Sequence, residues 1–229
     1  MRILALESSA LAASAALCRD GECEGLCLQN CGLTHSETLL PMAENLLKGC
    51  GLSVGDVDLI AVARGPGSFT GVRIGVAAAK GLSWGAEKPC CGVSTLEAMA
   101  WQAARLRDRL LCCCMDARRG QVYNALFRAS GERPERLSED RAISLPELLP
   151  ELREPPVLLG DGARITAEAL EKAGIPYELA PETLRLQSAW GVALAALHAP
   201  RESWGEPEPV YLRLSQAERE RLARGNPDT

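Results

Sequence analysis

Two stretches far apart in the chain share one pattern. Residues 3–8 form an apolar run ending in Glu7-Ser8-Ser9, and a second apolar run, 13–18, returns after a short turn. In the second half, the run 110–115 ends in Asp116, residues 117–120 turn, and 121–127 return. Later steps echo each other too: 58–63 (DLIAVA) is broken by Gly65-Pro66-Gly67, and 156–162 reads PVLLGDG. This weak internal duplication predicts two lobes, each opening with a strand–turn–strand unit. The chain has 229 residues. Domains cluster near about 100–150 residues, so that length suits one large domain or two small lobes.

Within the first lobe the pattern reads β-β-β-α-β-α-β-α. A third strand over 22–29 follows the turn Asp20-Gly21. Apolar residues then recur at Leu39, Met42, Ala43, Leu46, Leu47 and Cys50, one face of a helix over about 35–50. Thr34 or Ser36 can cap it, Gly51 can end it, and Pro41 is expected near its first turn. A helix over 71–85, a strand within 88–93 and a helix from Ser94-Thr95-Leu96-Glu97 to about Leu106 complete the lobe at residue 107. The second lobe, 108–215, carries a polar loop over 129–143 and helices over about 165–173 and 187–197. A charged tail, 216–229, is expected to fray.

Composition removes several function classes. Hydrophobic residues make up 47% and charged residues 24%, the globular norm. No apolar run reaches the ~18–20 residues of a membrane span, and MRILALESS reads as a strand rather than a signal peptide. A net charge of −5 argues against a free-standing nucleic-acid binder. Ten Cys without a secretory signal imply reduced thiols in a cytoplasmic setting. Cys23, Cys27 and Cys31 fall on or near a strand, where a spacing of four sets them too far apart for one metal. Cys90-Cys91 and Cys112-Cys113-Cys114 suit buried packing. His198, before Pro200, suits a helix C-terminus.

The most informative segment is GPGSFTGVRIG, residues 65–75. Gly67, Gly71, Gly75 and Ala79 recur every four residues, so part of this set lines one helix face that another element can approach closely. That element is either a partner or the chain's own sheet, and a glycine turn before a helix is also an anion site. The P-loop ending Gly-Lys-Ser/Thr is absent. Glu7-Ser8-Ser9, a carboxylate followed by hydroxyls in a turn, either holds a magnesium–phosphate group or satisfies its own backbone. Asp116 has the same two readings.

The combination of ILALESS, THSETLLPMAENLL, GPGSFTGVRIG, AKGLSW, DARRGQVYNALF and EPVYLR resembles the TsaB family across roughly residues 2–213. The resemblance implies an α/β chain of the actin-like ATPase superfamily, two duplicated ribonuclease-H-like lobes with mixed sheets, the second reduced. It also implies a role in forming N6-threonylcarbamoyladenosine on tRNA next to the anticodon. In that pathway TsaC makes threonylcarbamoyl-AMP, TsaD transfers the group, TsaB is the partner TsaD needs, and TsaE joins them. TsaC is then an indirect partner, tRNA is met only within the complex, and the isolated chain is expected to homodimerise. TsaD carries a His-x-x-x-His metal site; Thr95 and Met99 stand at those positions here. Neither replaces imidazole, so no metal, no cofactor and no catalysis are expected. The expected partner surface comprises His35, Leu39, Leu40 and Leu47 on the first helix. On the second it comprises Gly71, Val72, Arg73, Ile74, Gly75, Val76 and Ala79. Glu7, Ser8 and Ser9 are the candidate nucleotide contacts, and only with partners bound. The family usually has Asp at the position of Glu7. The competing readings are a small actin-fold kinase or ATPase using Glu7 and Asp116, and a metallopeptidase.

Overall fold

The computed structural model describes residues 1–213; the expected tail, 216–229, lies outside the described residues. Two mixed sheets repeat one plan. In the first, β1 (Arg2–Glu7), β2 (Ala13–Arg19) and β3 (Glu22–Gln29) form an antiparallel meander. Here β4 (Leu59–Ala63) and β5 (Cys90–Val93) extend the other edge in parallel, giving the order β3-β2-β1-β4-β5. In the second, β6 (Arg109–Asp116) and β7 (Gln121–Ala129) repeat the opening hairpin. The strands β8 (Pro134–Arg136) and β9 (Arg141–Ser144) both pair with β7, so the stretch expected as a polar loop carries two short strands. Parallel β10 (Val157–Leu159) and β11 (Glu178–Leu179) complete the order β11-β10-β6-β7-β8. The predicted duplicated, two-lobe α/β architecture with mixed sheets is therefore present, the first sheet holding five strands and the second six.

Strand alternation divides the first core. Leu4 and Leu6 point to the face covered by α1 (His35–Gly49) and α2 (Phe69–Ala86), whereas Ile3 and Ala5 point to the other. That other face is covered by α7 (Ala189–His198), a helix from the second half of the sequence. Its neighbour α3 (Thr95–Gln102) crosses the opposite way and packs Leu96, Met99 and Ala100 against Leu111, Cys113 and Met115 of the second sheet. A Cβ on Gly191 would lie 2.1 Å from the Ala98 carbonyl oxygen, so α7 meets α3 at backbone distance. In packing, each sheet is covered by a helix from the other half of the sequence, α7 on the first and α3 on the second. The outer face of the second sheet is covered by α4 (Leu145–Leu148) and α5 (Ala163–Lys172), and α6 (Glu182–Arg185) leads into α7.

Local signals act as expected with three differences, the first being that Thr34 stands at the N-cap of α1 without a side-chain capping bond. Ser94 Oγ accepts from Glu97 N at 3.2 Å, so the predicted cap forms, but α3 ends at Gln102. Pro41 lies inside α1, in its second turn, and the helix runs through it. All ten Cys are free thiols. Among the described residues no helix is long and apolar enough to cross a membrane.

Candidate functional site

The strands β1, β6 and β10 point their carboxyl ends into the space between the lobes, where open α/β sheets hold ligands. The cleft there has a volume of about 670 Å³. Ser9, Ala10 and the first turn of α2 form one wall, and Asp116, Arg118, Tyr123 and Asp161 the other. Glu7 ends β1 and is fully buried. Its Oε1 accepts from Ser9 N at 2.5 Å, while Oε2 has no partner. Burial pushes the Glu7 carboxyl up to about 7, and the negative charge of Asp161 adds to this, against the hydrogen bonds of Ser9. Burial raises Asp161 as well, although Gln187 Nε2 donates to its Oδ1 at 2.9 Å. Ser9 Oγ and His35 Nδ1 are also buried without partners.

Ser8 has a different task from the ligand contact considered for it. Its Oγ donates to the Gly71 carbonyl at 2.9 Å, and a Cβ on Gly71 would lie 2.1 Å from Ser8 O. A Cβ on Gly75 would lie 2.5 Å from Ser8 Oγ and 3.3 Å from Val62 Cγ2. The glycines of α2 that recur from 71 to 75 therefore face the chain's own first strand turn and sheet.

This corrects the expected partner surface. Gly71, Val72, Gly75, Val76 and Ala79 on α2, and Leu39 and Leu47 on α1, are buried in the first lobe's own core. His35 turns inward too, its Nε2 donating to the Ala10 carbonyl at 2.7 Å. Leu40 remains 45% exposed, Arg73 is exposed and Ile74 is half-buried. The outward face of α2 is carried by residues the periodicity argument passed over: Ala77, Gly81 and Trp84, the last 87% exposed. A Cβ on Gly81 would meet nothing within 4 Å. On the α1 side of α2, Leu40, Ala43, Leu52 and Leu82 line an apolar groove of about 570 Å³, whereas Gly81 and Trp84 line a separate depression with Lys80, Pro89 and Pro207. The signal was present as a second stripe, 77-81-85, offset by half a turn from 71-75-79.

Thr95 and Met99 are both buried in α3, Thr95 Oγ1 without a partner and Met99 inside the second lobe's core. Among the described residues no group of three His, Cys, Asp or Glu side chains is placed to hold a metal.

Comparison with known proteins decides the family. The chain is 40% identical to the tRNA threonylcarbamoyladenosine biosynthesis protein TsaB of Escherichia coli (strain K12), over 95% of this chain and 96% of that one. It belongs to the TsaB family. The TsaB of Bacillus subtilis (strain 168) is 32% identical, over 95% of this chain and 96% of its own length. The family model described as TsaD, tRNA N6-adenosine threonylcarbamoyltransferase, matches residues 28–218, so TsaB and the transferase share this domain type. The solved structure of YeaZ from Pseudomonas aeruginosa superposes with a TM-score of 0.73 at 26% identity, covering 92% of this chain and 99% of that one.

Proposed function

We propose that this chain is a non-catalytic subunit of tRNA threonylcarbamoyladenosine biosynthesis that docks TsaD through the outer face of α1 and α2. The observation that carries this reading is the apolar groove where Leu40, Leu47 and Leu52 meet Leu82 of α2; the open Gly81 and exposed Trp84 lie on the adjoining outward side of α2. A contiguous apolar surface of this kind marks an interaction site. The family model named for the transferase matches most of this chain, which supports a pseudo-symmetric contact between two related lobes. Leu40 and Trp84 are the anchors, each contributing roughly 1.5–3 kcal/mol when buried. Gly81 lets the partner helix approach closely. TsaE joins the TsaD-bound assembly, TsaC acts upstream through its product, and threonylcarbamoyl transfer to tRNA takes place on TsaD. Without TsaD the same face pairs two copies of this chain.

Light scattering after size exclusion tests this directly. The chain alone is expected to run as a dimer at tens of micromolar and to form a near-stoichiometric heterodimer with TsaD. Gly81→Leu is expected to weaken TsaD docking at least tenfold while leaving the thermal midpoint within a few degrees of the parent. An unchanged affinity in that variant removes the α2 face from the interface. A folded parent chain that ignores TsaD overturns the subunit reading, and nucleotide titration of the interlobe cleft then tests the enzyme alternative.

A further inference from the structure

Three segments distant in sequence meet at one edge of the interlobe cleft: the first turn of α2, the β6–β7 turn and the strand-like segment ending at residue 213. The docking face of α1 and α2 uses none of them. Val210 N donates to the Arg64 carbonyl at 2.7 Å, which lays this segment beside the loop from β4 to α2. Arg73 Nε donates to Tyr211 Oη at 2.8 Å. The same guanidinium lies 3.8 Å from the Phe69 ring centre, and the Phe69 and Tyr211 rings are 4.7 Å apart. The result is a tilted Phe69–Tyr211 pair with the Arg73 guanidinium over the Phe69 ring, in which Arg73 and Tyr211 are exposed.

Across the cleft mouth the β6–β7 turn holds Arg118 and Arg119 in the left-handed region, at φ 66° and 57°. Two consecutive non-glycine residues there are strained and need support. Arg213 supplies it by donating to the carbonyls of Ala117 and Arg118, and Asp116 Oδ1 accepts from Arg118 N at 2.7 Å. Both turn arginines are exposed. Among the described residues no ion pair uses Arg73, Arg118, Arg119 or Arg213.

We propose that Phe69, Arg73, Arg118, Arg119, Tyr211 and Arg213 form a binding patch for a single-stranded RNA segment. It rests on the reading of this chain as a tRNA-modification subunit and assigns it a direct contact with the RNA. Guanidinium groups bind phosphates through paired donors, and aromatic faces stack on unpaired bases. Sequence-independent docking of an RNA loop needs both together. The acidic floor at Asp116 and Asp161 keeps phosphates at the rim. The net charge of −5 makes the contact local rather than general. An acidic protein segment would use the arginines but has no need of the exposed Tyr211 ring beside them.

The test is the Arg118→Asn/Arg119→Asn double variant, since Asn tolerates the left-handed region and the turn keeps its shape. An unmodified tRNA transcript is titrated by fluorescence anisotropy over a salt series, against the chain alone and against its mixture with TsaD. The parent is expected to bind the transcript at low salt. The variant is expected to bind about tenfold more weakly, with the slope of log K against log salt smaller by about 1.4 for two lost phosphate contacts. Equal slopes for parent and variant, or no binding by the parent in either setting, overturn the proposal. Lost TsaD affinity with an unchanged RNA slope reassigns the patch to an acidic protein surface. A parent that fails to dock TsaD but shows the slope difference leaves the RNA patch standing and removes the subunit reading.

Discussion

Gly71→Ala is expected to lower stability by roughly 2–4 kcal/mol, a fall in thermal midpoint of about 5–15 °C for a chain of this size. The cause is local and geometric. The new Cβ would stand 2.1 Å from the Ser8 carbonyl oxygen, a backbone atom held by the β1–β2 turn. Ser8 Oγ also donates to the Gly71 carbonyl, so neither side can withdraw without breaking the bond that joins α2 to β1. Alanine favours the helix over glycine by about 1 kcal/mol, which offsets only part of this clash. Gly81→Ala, ten residues along the same helix, meets open space. It is expected to gain that helix propensity and raise the midpoint by a few degrees. Thermal unfolding of the two variants, at one protein concentration low enough to keep the chain monomeric, checks the argument, because dimerisation through the Gly81 face would couple stability to concentration. A shift of the same sign in both would mean that α2 does not pack on the sheet through Gly71.

The contrast between these two glycines marks how far the sequence could be read. The strand–turn–strand repeat at 3–18 and 110–127 carried the two-lobe plan, because buried strands bounded by acidic turns leave a local trace. The helix boundaries of α2 and α5 came within a few residues, since caps and apolar spacing are also local. Which face of α2 looks outward depended on a tertiary fact, and the two small-residue stripes look alike in a string of letters. The larger neighbours hold the clue: Val72 and Val76 flank the inner stripe, while Arg73, Lys80 and Trp84 flank the outer one. The exchange of α3 and α7 between the lobes left no comparable trace. Both helices are apolar over most of their surface, so their pattern does not say which sheet they cover. Ser9 and Asp116, which line the cleft, and Glu7, buried at the end of β1, stand at the strand ends that the repeat marks. Asp161, the convergence of Tyr211 on Phe69 and Arg73, and the bonds of Arg213 to the β6–β7 turn required the folded chain, because they join segments far apart in sequence.

Glu7→Gln is expected to stabilise the protein by about 3 kcal/mol at pH 8 and to change it little at pH 4.5. The sign follows from proton binding. The buried Glu7 carboxyl titrates at about 7 in the folded chain, above its ordinary value of 4.5. Between those values the folded state holds the proton and the unfolded state has released it. Stability from this group is therefore full below about pH 4.5, falls as pH rises toward 7 and stays low above it. Glutamine keeps an oxygen that can accept from Ser9 N and removes the charge that burial penalises. Asp161 adds to the effect, because its negative charge disfavours the ionised form of Glu7. In an Asp161→Asn background the gain from Glu7→Gln at pH 8 should accordingly shrink. Urea unfolding of the parent and both single variants, with the double variant completing the cycle, reads these differences at pH 8, 6 and 4.5. Because only the difference between parent and Glu7→Gln is used, the many exposed carboxylates that also titrate near pH 4.5 cancel. A difference that stays constant from pH 4.5 to 8 would show that Glu7 titrates in the folded chain as it does in the unfolded one and is ionised at neutral pH. The carboxylate would then be free to meet a cation or a ligand in the cleft at neutral pH. A difference that grows with pH would instead identify a carboxyl kept neutral below pH 7, acting as the fixed end of the Ser8–Ser9 turn that holds α2 against the sheet.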